Sequence, residues 1–488
     1  VYIVGITAFG IYVGRRIKTT GEFLLAGRGV HAFLLAGSTL ATIIGTGATI
    51  GASGYAYQNG FAGALYGLGQ GLGIIIVGLA FAKMRKYEFM SLGEEIACYY
   101  GGNRYIYEFA NVMMFLSLVC WMGVQIMGAA NYLGILTGLP YITSVITSGI
   151  TFGFLVIIGG YVAVVYTDVV QAFIFFFGFV ALAVVGVIAA GGISTITNSV
   201  PAENWSFLGH ERVGWFSVIG IPMALMISYI AEPGYRHRIY SARSVSHARW
   251  SMITPGLIAI PFSIFTAVLG MAAFSLNPEL TNPDETLPWL ATQVFPVWAM
   301  ALILISGFAA TFSSANSDCA SGTLFFIRHI YNLVVPGKRY PENTLLASRI
   351  TVAVMMTAAT LLVLMFKSIV NFIVLFISVL MSGLATVILL GRFWKRATWQ
   401  GAVTAIIVGA VASLAVEQVP AWKDFWQETI IPATLSALVA HVIVSLFTFE
   451  EKPSFEEVAK QMAEEREELE TVDETNFLTD PSEDIEGL

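Results

Sequence analysis

The sequence predicts an all-α polytopic membrane protein, and three observations carry that prediction. Of the 488 residues, 56% are hydrophobic and only 12% are charged, which is more apolar surface than soluble domains could hide from water. Apolar runs of about 20 residues recur from end to end, the length at which a helix crosses roughly 30 Å of hydrocarbon. The alternating segments of about ten residues that mark a membrane β-barrel are missing.

Taken in order, the runs give a leading span at 1–16 and ten core spans near 31–57, 61–82, 106–136, 140–160, 163–190, 213–240, 251–275, 294–327, 345–366 and 369–391. Two trailing spans follow near 399–418 and 427–448, making about 13 transmembrane helices. Val1–Gly14 is slightly short for a span, so the natural N-terminus is expected further upstream, and no cleavable signal peptide is visible. Cys98, Cys120 and Cys319 form no CxxC pair and the six histidines have no metal-ligand spacing, so neither a disulfide framework nor a zinc site is expected.

Short cytoplasmic loops collect Lys and Arg. With the N-terminus outside, 19 basic residues fall inside, grouped around Arg15 to Arg28, Lys83 to Arg104, Arg236 to Arg249, Arg328 to Arg349 and Arg392 to Arg396, whereas Arg212, Lys367 and Lys423 fall outside. The expected orientation is therefore N-terminus out and C-terminus in. Residues 1–448 form the transmembrane domain, with core repeats at about 31–190 and 213–391. Residues 449–488 form an acidic cytoplasmic tail: from 450 onward there are 15 acids against Lys452, Lys460 and Arg466. Phe455 to Glu470 reads as a charged helix and the remainder as disordered, a solvated tail rather than a regulatory dock.

Within core span 1, Leu40-Ala41-Thr42-Ile43-Ile44-Gly45-Thr46-Gly47-Ala48-Thr49-Ile50-Gly51 is too apolar for a loop and too glycine-rich for an undisturbed helix. Each Gly costs a helix about 0.8–1 kcal/mol relative to Ala. Backbone opened at membrane depth is tolerated where it lines a cavity or binds an ion; close packing through small residues is the alternative. Core span 6 carries a matching interruption at Glu232-Pro233-Gly234, where Pro233 removes a donor and Gly234 permits a bend. Two broken helices, each opening a group of five, point to an inverted-repeat transporter with its site at the repeat interface.

Charges inside the bilayer are functional candidates because they cost at least about 2.5–3.5 kcal/mol to insert. Asp168 on span 5 and Glu232 on span 6 qualify, although Glu232 could simply pair with Arg236 one turn away. Span 8 adds Ala310-Thr311-Phe312-Ser313-Ser314-Ala315-Asn316-Ser317-Asp318, whose hydroxyls and freed carbonyls suit a hard cation such as sodium. Gly67-Leu-Gly-Gln-Gly-Leu-Gly73 lacks the strand and the Lys-Ser/Thr of a phosphate loop, so helix contact is the better reading. No nucleophile with a paired base and no metal cluster argues for an enzyme, and the sequence offers no sign of a nucleic-acid partner or an organic cofactor.

These residues carry a family resemblance. From Phe23-Leu-Leu-Ala-Gly-Arg28, through Tyr166-Thr-Asp-Val-Val-Gln171, to Ser313-Ser-Ala-Asn-Ser317 and Phe326-Ile-Arg-His-Ile-Tyr331, the chain resembles the sodium:solute symporter family, which includes sodium-coupled proline, pantothenate, sialic acid, glucose and choline carriers. The resemblance implies a five-plus-five inverted-repeat core of the LeuT type with alternating access, preceded by one helix and followed by two. It also implies a sodium site formed by carbonyls of Ala41, Ile44 and Ala310 and by hydroxyls of Ser313 and Ser314. Some members use a second sodium, which here would fall to Asp168, Ser313, Asn316 and Ser317, although Asn316 departs from the Ser or Asp expected there. By the same architecture the solute sits beside the two breaks, with Thr46, Gly47, Gln70, Trp121, Gln125, Tyr229 and Glu232 as candidate contacts. Choline-type members carry Trp where this chain has Ile43 and Glu232, so Glu232 suggests an amino or hydroxyl group instead of a quaternary ammonium.

The expected activity is uptake of a small organic solute, an amino acid, vitamin or similar, driven by sodium across the plasma membrane. A proton-coupled carrier on the same fold and a substrate sensor are the alternatives. The solute's identity, the stoichiometry and the oligomeric state are left open.

Overall fold

The computed structural model describes residues 30–159, 161–335, 341, 344–366 and 368–464. The leading span, the motif at 23–28, the basic residues Arg15, Arg16, Lys18, Arg28, Lys338 and Arg339, Lys367 and the tail beyond 464 lie outside the described residues. So do the side chains of Asp168, Ser313 and Asn316, whose backbones are helical.

The expected spans from residue 31 onward each coincide with a helix or a helix pair. Core span 1 divides into α1 (Ala32–Ile43), a wide turn at Gly47–Gly51 and α2 (Ala52–Asn59). After a turn at Gly60 come α3 (Ala64–Phe81), a short α4 (Leu92–Tyr99), α5 (Arg104–Thr137), α6 (Tyr141–Gly159) and α7 (Tyr161–Ala189). Gly60 has φ +61, and a Cβ there would lie 2.3 Å from the carbonyl of Asn204, so only glycine turns this corner. Past α7, Gly191 and Gly192 swing the chain through 73° into α8 (Ile193–Ser199).

The second half repeats the pattern. Core span 6 divides into α9 (His210–Ala231) and α10 (Pro233–Ser241), followed by α11 (Val245–Leu276), α12 (Thr286–Val294), α13 (Val297–Phe325) and α14 (Thr344–Val363). Core span 10 is α15 (Ile369–Phe376) and α16 (Ser382–Phe393), joined through one wide turn. The trailing hairpin is α17 (Trp399–Gln418) and α18 (Ile430–Phe447). Among the described residues nine helical runs are long and apolar enough to cross a membrane, and a tenth if the bent pair after Phe175 is counted.

Glycines set the closest approaches. A Cβ at Gly69 would fall 2.5 Å from Pro222 Cα and one at Gly73 2.8 Å from Met226 Cα, both on α9. On the opposite side, Gly67 would meet Ser263 Cβ at 2.6 Å and Gly71 the Gly256 carbonyl at 2.8 Å, both on α11. The run Gly67–Gly73 is thus a contact surface, as its spacing suggested, and it wedges α3 between α9 and α11 with Gln70 at the α9 side.

After α18 the chain departs from the solvated tail expected. Ser454 and Glu457 form a reciprocal cap, Ser454 N donating to Glu457 Oε2 at 2.8 Å and Glu457 N to Ser454 Oγ at 3.3 Å. They start a helix over residues 455–464, here α19. Phe455, Val458, Ala459 and Met462 form an i, i+3, i+4, i+7 stripe, and Val458 and Ala459 are 2% and 5% exposed. The charges occupy the remaining faces, which is why composition alone suggested solvent.

Candidate functional site

Helix α1 ends where its residues stop supporting it. Ile44 has φ −83 and ψ 46, and its N–H still donates to Leu40 O at 2.9 Å. Gly45 follows, with its carbonyl accepting both the N–H of Thr49, at 3.2 Å, and the Thr49 hydroxyl, at 2.8 Å. Carbonyls of a helix's last turn lack intrahelical donors, and the negative end of its dipole faces the same way, which favours a cation. Ser314 on α13 is buried beside this break: its Oγ lies 3.8 Å from where a Cβ on Gly45 would stand. Ala310 lies one turn earlier on α13. The structure therefore brings Ser314 to the end of the helix that carries Ala41 and Ile44, which is the juxtaposition an oxygen-lined cation site needs.

The second break begins at Glu232, which has extended backbone (φ −77, ψ 119) and caps α10 ahead of Pro233. Proline at the first helical position has no N–H to waste, and a carboxylate at a helix N-terminus is favoured by its dipole. Glu232 is 6% exposed. The polar groups around its carboxylate are Trp121, Arg238 and Asp318.

The remaining candidate solute contacts form two linked pairs. Thr46 donates its hydroxyl to Gln125 Oε1 at 2.8 Å, tying the α1 break to α5. Gln70 Nε2 donates to the Tyr229 hydroxyl at 2.6 Å, tying α3 to the end of α9. Gly47 lies against Tyr66 and Ile373. Trp121, one turn before Gln125 on α5, packs edge-on to Phe376 with ring centroids 5.1 Å apart. Gln70 Oε1 completes no hydrogen bond, and Trp121 Nε1 faces the Glu232 carboxylate without closing one of good geometry. Polar atoms left over between the two breaks suit a solute that brings donors and acceptors of its own.

Two arginines of α10 secure the second break. Arg236 does not pair with Glu232. It is fully buried, places Nε 3.6 Å from Glu95 Oε2 on α4, stacks 3.6 Å over Phe81 and donates Nη2 to Ile230 O at 3.3 Å, a carbonyl orphaned by the break. The one-turn rule applies within a continuous helix, whereas the extended backbone of Glu232 turns its side chain off that face. Arg238 instead joins the half-helices α1 and α10, with Nη2 2.6 Å from Thr42 Oγ1 and 3.3 Å from Ser38 Oγ on α1, and Nη1 3.2 Å from Gly234 O. A backbone bridge reinforces this link: Val30 N donates to Ser241 O at 3.3 Å, and Arg243 N to Val30 O at 3.1 Å. Asp318, one turn beyond Ser314 on α13, is the group the sequence reading passed over. Its position in the Ser313–Asp318 run was the available signal. Among the described residues no three His, Cys, Asp or Glu side chains gather as a metal cluster.

The comparisons agree with this architecture. A model of the "Sodium:solute symporter family" matches residues 23–409. The sodium/pantothenate symporter of Escherichia coli (strain K12) is 28% identical over 91% of this chain and 95% of its own length. The sodium/glucose cotransporter of Vibrio parahaemolyticus is 24% identical over 92% of this chain and 88% of its own. Among solved structures, a sodium-coupled sialic acid symporter in a substrate-bound outward-open state matches with a TM-score of 0.75 at 22% identity, covering 93% of this chain and 97% of that one. The nucleobase-cation symporter Mhp1 matches with a TM-score of 0.57 at 14% identity, covering 91% and 99%. With a broken first and sixth core helix, a serine of the eighth against the first break, and the family's model matched over most of its length, the chain belongs to the sodium:solute symporter family and is a sodium-coupled solute carrier that works by alternating access.

Proposed function

We propose that this carrier takes up a small organic solute bearing hydroxyl or amino groups, with sodium bound by the carbonyls of Ala41, Ile44 and Ala310 and the hydroxyls of Ser313 and Ser314. The observation that carries the ion site is the approach of Ser314 Oγ to Gly45. The solute lies between the two breaks, against Thr46, Gly47, Gln70, Trp121, Gln125, Tyr229 and Glu232. The open Gln70 Oε1 and the Trp121–Glu232 pair support a molecule with several polar groups. The relatives named above carry pantothenate and glucose, both hydroxyl-bearing. Asp168, Asn316 and Ser317 are the residues for a second sodium. The protein sits in the plasma membrane with its N-terminus outside and its C-terminus cytoplasmic, because the basic clusters then lie inside.

The test is uptake into liposomes of a labelled panel comprising pantothenate, proline, glucose and choline, with and without an inward sodium gradient. At least one hydroxyl- or amino-bearing solute accumulates only with sodium, and Ser313→Ala with Ser314→Ala raises the sodium requirement at least about tenfold, a loss of roughly 1.4 kcal/mol of ion binding. Uptake indifferent to sodium and driven by pH rejects the assignment. The nearness of Asp318 to Glu232 favours that second reading, a proton carried by the two acids, over any other.

A further inference from the structure

The segment after α18 grips the machinery of the half-helices α1 and α10. Lys452 Nζ donates to the carbonyls of Tyr99, at the end of α4, and Ala397, between α16 and α17, each at 2.7 Å. The Phe455 ring sits among Tyr87, Tyr99 and Phe89, with centroids 4.8, 5.4 and 6.0 Å away. Gly101 and Gly102 have φ +65 and +76 and lie directly under this segment, a Cβ at Gly101 falling 3.0 Å from Lys452 Cβ. A charged tail with no role would not bury Val458 and Ala459, half-bury Phe455 and set a lysine ammonium against two carbonyls.

What the segment grips is connected to the site through few side chains. Tyr99 donates its phenol to Glu95 Oε1 at 2.8 Å, and Tyr240 of α10 donates to Glu95 Oε2 at 2.6 Å. Arg236 of α10 approaches the same Oε2, and Phe89 packs on Tyr240 with centroids 5.9 Å apart. Tyr99 therefore meets Phe455 with its ring and Glu95 with its hydroxyl, so one side chain of α4 links the segment to Glu95. Glu95 in turn holds α10, whose first residue adjoins Glu232 and which is tied to α1 by Arg238 and the bridge at Val30. Any swing of α1 and α10 that opens the site on this face must break the Glu95 contacts or carry α4 along, and α4 is pinned by residues 449–464.

We propose that residues 449–464 are a strap: docked, they hold α4, α10 and α1 closed over the site on this face, and their release permits opening. The strap acts on the rate and population of opening while touching neither ion nor solute.

The test reads opening through Cys319, which is fully buried on α13 next to Asp318. The purified full chain carries Cys98→Ala and Cys120→Ala and is treated with N-ethylmaleimide in sodium-free buffer. Phe455→Ala speeds alkylation of Cys319 about tenfold, within the 5–150-fold range of coupling effects. Gly101→Cys with Lys452→Cys, oxidised to a disulfide, slows it by a similar factor relative to the same protein reduced. The oxidised and reduced forms share one sequence, so their comparison does not depend on how well Phe455→Ala folds. Equal alkylation rates in the oxidised and reduced forms overturn the proposal.

Discussion

At Gly47 a methyl group would stand 2.0 Å from the Tyr66 hydroxyl and 3.0 Å from Ile373 Cδ1. Space, and not backbone freedom, holds this position to glycine, since its backbone is helical. Gly47→Ala is expected to displace Tyr66 and to cut the solute's apparent affinity at least about tenfold, with overpacking costing about 1–3 kcal/mol. Equilibrium binding of the solute identified in liposomes checks it. Glu232→Gln keeps the shape and removes the charge; solute affinity should fall more than sodium affinity, and the reverse order in paired titrations removes Glu232 from the solute site. At this scale Ser314 and Glu232 were legible because a polar residue stands out in an apolar run. Asp318 stood in the same run but gained meaning only from Glu232 and Arg238, which chain topology brings near it. The Glu232–Arg236 pair that spacing allowed is not the one formed, because spacing along one helix carries no information about Glu95, on a helix far away in sequence.

Among elements, α10 is held by a buried ion pair with another helix. Its buried Arg236 faces Glu95, and both are fully buried. Arg236→Gln strands a buried carboxylate and should cost about 3–5 kcal/mol, whereas replacing both partners with apolar residues of similar volume costs far less. Thermal unfolding of the single variant, Arg236→Gln, and the double variant, Arg236→Met with Glu95→Leu, separates these outcomes; equal losses would mean that the pair's charge is irrelevant to α10. Helix boundaries were readable from apolar run length, and the two breaks from Gly45, Gly47, Pro233 and Gly234. Helix α4 was not, since eight residues between two spans show no long period. Helix α19 was legible from Phe455 onward as a helix, but its packing was not, because net charge outweighed the four-residue stripe beginning at Phe455.

For the molecule as a whole, a connection between helices holds an acid with an unusual titration. Asp284 lies between α11 and α12, is 6% exposed, and accepts the N–H of Ile369 at the start of α15 at 3.0 Å. Burial chiefly, and the neighbouring Glu285, push its carboxyl up to about 7, against the Ile369 N–H, which lowers it. The same charge bears on Tyr141. The folded state thus holds this proton more tightly than the unfolded chain does, so the contribution is greatest below the unfolded value near 3.8 and is lost as pH rises through about 7. Glu428, beside Ser217, is also raised to about 7 and acts in the same direction. The midpoint of thermal unfolding should fall between pH 5 and 8, and Asp284→Asn should flatten part of that fall; an unchanged slope in the variant refutes it. Energetically the carrier has much to gain from tight coupling: one sodium at 100 mV releases about 2.3 kcal/mol, and a tenfold gradient adds about 1.4.

The bridge between Val30 and the end of α10 bears on that gain. Its two hydrogen bonds are made by peptide groups alone, so they survive nearly any side-chain exchange at either position. Slippage, in which α1 or α10 moves while the other stays, is thereby opposed by the main chain itself, and mutational drift has little purchase on it. Proline is the exception: at position 30 or 243 it deletes one of the two donors. A leaky variant of this carrier, dissipating the sodium gradient without cargo, should therefore arise far more readily from proline at these two positions than from any change of charge or size there.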